Sequence, residues 1–91
     1  MGYLCEIKSD RKFESEDIQE IVNNLPDEYQ RFGQKSSWEW SLACDLKLWG
    51  EKITVSGSYG ISGEIAPKFV KHMRTELKKR GYQLKPNKWL W

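Results

Sequence analysis

Residues 38–49 alternate in polarity. Trp38, Trp40, Leu42, Cys44, Leu46 and Leu48 fall on one side, and Glu39, Ser41, Ala43, Asp45, Lys47 and Trp49 on the other. A period of two is the repeat of a strand, whose successive side chains point to opposite faces. The pattern therefore predicts one long strand, buried on one face and mostly polar on the other. Gly50-Glu51 follows, and glycine at the first of two loop positions suits a type II′ hairpin. The return strand then runs over 52–61. With Trp49 opposite Lys52, Leu48 faces Ile53, Leu46 faces Val55, Cys44 faces Gly57, Leu42 faces Tyr59 and Trp40 faces Ile61. Apolar residues meet apolar residues or glycine throughout, and a slip of one residue would mix the faces.

The rest of the chain is read around this hairpin. Tyr3, Cys5 and Ile7 alternate with charged neighbours and predict a first strand over 3–8. Residues 15–25 predict a helix, with Ser15 as its N-terminal cap and Glu16 and Asp17 at the positive end of its dipole. Ile18, Ile21, Val22 and Leu25 form its apolar stripe, and Pro26 ends it. Residues 26–37 read as a long connection, with Tyr29 and Phe32 packing down. A second helix begins within 63–67, carries Pro67 in its first turn and ends near Arg80, with Gly81 just past the end. A last strand over 82–91, interrupted by Pro86, suits a sheet edge.

Strand, helix, strand, strand, helix, strand is the split βαβ order. The expected fold is a ferredoxin-like α+β sandwich: a four-stranded antiparallel sheet of order 4-1-3-2, with both helices on one face. The open face would carry Leu4, Glu6, Lys8, Lys47, Thr54 and Ser56 among others. Cys5 and Cys44 would stand two strand spacings apart, roughly 9–10 Å, too far for a disulfide.

The chain has 91 residues, the size of one domain spanning 1–91. Five Trp and 13% aromatic residues exclude a disordered chain and supply the large side chains a small core needs. No apolar run approaches about 18 residues, so no membrane partner is expected. Met1-Gly2-Tyr3 leads straight into strand-like sequence, which fits no secretory leader. The two cysteines fit no metal-ligand spacing, and free thiols suit a reducing cytoplasm. His72 and Glu76 lie one turn apart, but a metal needs more ligands than they supply. No nucleophile–base spacing supports catalysis. The expectation is a non-enzyme without cofactor or metal.

Charge is uneven along the chain. Residues 1–45 hold five Lys/Arg against ten Asp/Glu, a balance of −5, and residues 46–91 hold ten against three, a balance of +7. Much of the excess lies on the second helix, where Lys68, Lys71, Arg74, Lys78 and Lys79 fill an arc of roughly 140° opposite the apolar stripe. Such an arc suits phosphates or an acidic protein surface. Trp49 at the hairpin turn, with Trp89 and Trp91 at the C-terminus, is harder to bury than a Trp in mid-strand. Trp is also enriched at binding hot spots. Trp38 and Trp40 read as core edge. The glycines of 57–63 lack the spacing of a phosphate loop and read as a bulge and a loop. The return strand exposes Thr54, Ser56 and Ser58 where an RNA-recognition motif would expose aromatics.

These features predict a small protein-binding module, an inhibitor or adaptor of a larger protein complex. In scale it is similar to phage-encoded anti-defence proteins of the anti-CRISPR kind and to immunity proteins of toxin systems. The expected contact residues are Lys68, Lys71, Arg74, Lys78, Lys79, Trp49, Trp89 and Trp91. The alternative is a nucleic-acid-binding protein that uses the basic face of the second helix. A homodimer through a sheet edge or the open face is a further option.

Overall fold

A computed structural model describes residues 2–30, 33–58 and 61–90, without the side chains of 58 and 61–63. Trp91, Tyr59, Gly60 and Phe32 lie outside the described residues, and so do the expectations placed on them. The elements are β1 (Gly2–Lys8), α1 (Ser15–Asn23), β2 (Gly33–Ser36), β3 (Glu39–Ser41), β4 (Asp45–Trp49), β5 (Lys52–Ser58), α2 (Ile61–Lys79) and β6 (Lys88–Leu90).

The sheet has six strands in the order β2-β3-β4-β5-β1-β6, every neighbouring pair antiparallel. This corrects the four-stranded ferredoxin-like expectation. The long strand predicted over 38–49 breaks at residues 42–44, where the Leu42 N–H donates to the Cys44 carbonyl at 3.0 Å. The chain folds back there, so Trp40 pairs with Leu46 and not with Ile61. The predicted connection before it contributes β2, which pairs with β3 through a shifted register between Gln34 and Ser36. A turn that joins two inward residues separated by an even number preserves the alternation. Leu42 and Cys44 are both buried, so periodicity alone could not reveal the break.

The hairpin beyond it has the register its polarity dictates: Leu46↔Val55, Leu48↔Ile53 and Trp49↔Lys52. Gly50 has φ +67° and no non-glycine residue among those described has positive φ, which is the type II′ pattern at Gly50-Glu51. β1 lies beside β5 so closely that a Cβ on Gly2 would stand 2.6 Å from the Gly57 carbonyl oxygen. Glycine at position 2 permits that approach.

Tyr3, Cys5, Ile7, Trp40, Leu46, Ile53 and Val55 point inward from the sheet. They form one core with Ile18, Ile21 and Val22 of α1 and Phe69, Val70, Met73 and Leu77 of α2. The helices thus cover the inward face. Helix α1 has no side-chain cap of its own, and Ser15 is its first helical residue rather than its cap. The Tyr82 hydroxyl takes that place. It accepts from the Glu14 N–H at 2.9 Å and donates to Asp17 Oδ2 at 2.6 Å. Helix α2 starts at Ile61, so Pro67 stands inside it, past the first turn. Its C-terminus closes on Gly81 (φ +89°). There the Tyr82 N–H reaches the Leu77 carbonyl at 3.2 Å and the Gly81 N–H reaches Lys78 at 3.0 Å, a Schellman closure. The last strand is shorter than predicted and pairs with β1 only over Leu4↔Leu90, Cys5↔Trp89 and Glu6↔Lys88.

Candidate functional site

The helix-free face of the sheet is built by the other half of each alternation. Reading across it from β3 to β6, registers place Glu39, Lys47, Thr54, Glu6 and Lys88 in one row. Ion pairs tie this row and its neighbours together: Lys47–Glu39 at 3.3 Å, Lys52–Glu6 at 3.2 Å and Lys8–Glu6 at 3.8 Å. The hydrogen bond from Lys52, aided by the charges of Lys52, Lys8 and Lys88, holds the Glu6 carboxyl below its ordinary value against the opposing effect of burial.

Two Trp side chains lie over this row. The Trp49 indole N–H donates to Thr54 Oγ1 at 2.9 Å. That bond lays the indole along the sheet and explains why Thr54, on the helix-free face, is buried. The Trp38 ring packs on Trp49 with centroids 5.4 Å apart, and the Lys47 ammonium stands 6.0 Å from the Trp38 ring centre. On the far side of the same face Leu90 sits beside Leu4 in register. Between them runs a shallow groove of about 370 Å³, lined by Trp49, Leu90, Leu4, Thr54, Glu6, Lys47, Lys52 and Ser56. Trp49 is 49% exposed, Trp38 43% and Leu90 42%. These are the exposed large apolar side chains among the described residues, and all three stand on this one face.

The structure divides the predicted contact residues instead of gathering them. Trp49 is on the open face. Trp89 points the other way, half-buried, with its ring 6.3 Å from that of Tyr3. Lys68, Lys71 and Lys78 are exposed on α2. Lys79 is engaged with Glu76 at 3.0 Å, and Glu76 also receives Arg80 at 3.4 Å. Arg74 is half-buried and holds down the chain leading into β6. Its Nη1 donates to the Lys85 carbonyl at 2.9 Å and to Asn87 Oδ1 at 2.7 Å. Lys71, Arg74, Lys78 and Trp89 line a groove between α2 and β6, well apart from Trp49.

Sequence reasoning missed Trp38 and Leu90, and it placed Leu4 on the open face without naming it as a contact. Trp38 reads inward by its spacing from Trp40, but the turn before β3 carries it outward. Trp40, two residues on, is buried as its spacing predicts, and its indole N–H donates to Gln19 Oε1 at 3.0 Å. His72 is half-buried with its ring 6.0 Å from that of Tyr29. Among the described residues no group of three or more His, Cys, Asp or Glu is placed to hold a metal ion. No described helix is long and apolar enough to cross a membrane.

Comparison with known proteins found no matching family model, no matching curated protein and no matching solved structure.

Proposed function

We propose that this chain is a non-enzymatic binding module, an inhibitor or adaptor that holds another protein against the open face of its sheet. One observation carries the reading: the exposed Trp38–Trp49 pair and, across a shallow groove, the exposed Leu90 all stand on the face that no helix covers. An apolar cluster of this kind on a small chain marks an interaction surface. Trp supplies large contact area and dominates binding hot spots. The Trp49 donor is already satisfied by Thr54, so a partner can cover the indole without stranding its N–H. Among the described residues the face sets Glu6, Glu39 and Asp45 against Lys8, Lys47, Lys52 and Lys88, an excess of one positive charge that leaves it no strong preference for either sign. A polypeptide surface with an apolar anchor and a mixed polar rim fits that chemistry. Cys5 and Cys44 are buried and not disulfide-bonded, which agrees with a reducing, cytoplasmic setting.

The test is comparative capture followed by reconstitution. The wild-type chain and a Trp38→Ala/Trp49→Ala variant serve as baits, and the proteins retained by the wild type are purified and titrated by calorimetry. Loss of a hot-spot Trp should weaken such a complex by about 2 kcal/mol or more, roughly thirtyfold in Kd. Equal binding to both baits, or no binding by the purified components, contradicts the reading. A dimer seen in sedimentation and lost in the variant would make the partner a second copy of this chain.

A further inference from the structure

We infer that the groove between α2 and β6 is a second and separate binding site, and that it takes a nucleotide unit: a phosphate joined to a flat ring. The groove measures about 440 Å³, within the range of small-molecule sites. Its chemistry is one-sided. Lys71, Arg74, Lys78 and Asn87 line it, and no carboxylate does. Lys71 and Lys78 stand one turn to either side of Arg74, about 10 Å apart along the helix. Both are exposed, and neither pairs with a carboxylate among the described residues. On α2, Glu76 is taken by Lys79 and Arg80, and Glu64 lies two turns before Lys71.

Arg74 gives the site its fixed point. The two acceptors on Nη1 hold the guanidinium in place, while a guanidinium carries five N–H donors in a planar fork. The donors that remain match the oxygens of a phosphate. Asn87 is oriented by the same contact: its oxygen accepts from Arg74, which leaves its NH₂ as a donor. The other end of the groove is apolar, with Pro67, Val70 and the half-buried Trp89 indole. Cationic donors beside an aromatic and apolar wall are the pairing that holds phosphate and base together in nucleotide and single-strand sites. An acidic peptide would satisfy the cations but leave the apolar end without a ring.

The probe is a short fluorescent oligothymidylate, followed by anisotropy at low and physiological salt. AMP, inorganic phosphate and polyglutamate serve as competitors. Saturable binding that weakens with salt is expected, and Lys71→Glu/Lys78→Glu should weaken it at least about tenfold with an unchanged circular dichroism spectrum. Trp49→Ala should leave it untouched, which separates this site from the open face. Competition by AMP at oligonucleotide-like concentration would identify a free nucleotide as the source; competition only by longer strands would identify single-stranded nucleic acid. The inference is overturned by any of four results: no saturable binding at low salt, full binding by the double variant, displacement of the probe by inorganic phosphate at or below the concentration AMP needs, or polyglutamate competing as well as the oligonucleotide.

Discussion

Tyr82 does for α1 what the helix's own first residues do not. A helix begins with N–H groups that have no partner inside it, and Ser15 in the sequence looks placed to serve them. The structure instead brings the hydroxyl of Tyr82 from the end of α2 to the Glu14 N–H and to Asp17. The Tyr82 ring is packed by Phe13 at 4.9 Å, and the Arg11 guanidinium lies 3.8 Å above its centre. A local cap and a tertiary cap predict opposite mutant behaviour. Tyr82→Phe removes one oxygen and both hydrogen bonds, and should cost about 1–2 kcal/mol. Ser15→Ala should change stability by less than about 0.5 kcal/mol. Urea unfolding of the two variants checks this, and a larger loss for Ser15→Ala than for Tyr82→Phe would reject the tertiary cap.

At the scale of elements, hydrophobic periodicity and turn chemistry decide how much the sequence reveals. Both helices and the β4–β5 hairpin are legible because Ile18, Ile21 and Val22 recur at helical spacing and Leu46, Leu48, Ile53 and Val55 at strand spacing. Strand β2 is not legible. Its residues Gly33, Gln34, Lys35 and Ser36 include no apolar side chain, so it has no alternation to detect and is held by backbone pairing to β3. The break at 42–44 is hidden for the opposite reason, since the pattern continues through it and no Gly or Pro marks it. The open-face site is half legible. Trp49 declares itself by falling out of the apolar series, whereas Trp38 is misread because a turn reverses it. The hairpin turn offers a direct check of its inferred geometry. Gly50 has φ +67° with open space where a Cβ would stand, so Gly50→Ala pays backbone strain alone. It should lower stability by about 1–2 kcal/mol, read as a lower urea midpoint at unchanged slope. An unchanged midpoint would show that the turn tolerates another conformation.

For the whole molecule, the two sides of the sheet divide the work. The inward side carries the core, and with it groups whose ionisation burial resists. Burial pushes the Cys5 thiol from 9.0 up to about 11, with the Arg74 charge opposing it. Burial likewise raises Tyr29, and raises Tyr82 with help from its hydrogen bond to Asp17. Each of these groups binds its proton more tightly folded than unfolded. Their contribution is therefore complete below the ordinary values, 9.0 for the thiol and 10.0 for the phenols, and is lost as pH rises through the folded ones. The urea midpoint should hold from neutral pH to about pH 9 and fall above it; a flat profile to about pH 11 would contradict the burial argument. The outward side carries the Trp38–Trp49 pair and Leu90, among ion pairs that leave it a small excess of positive charge. The most direct test of that assignment is the indole N–H region of the nitrogen–proton NMR spectrum, recorded with and without the reconstituted protein partner. The account predicts that the Trp38 and Trp49 signals shift on binding while that of Trp40, buried and bonded to Gln19, stays in place. Shifts confined to Trp89 and the amides of α2, with Trp38 and Trp49 unmoved, would contradict it.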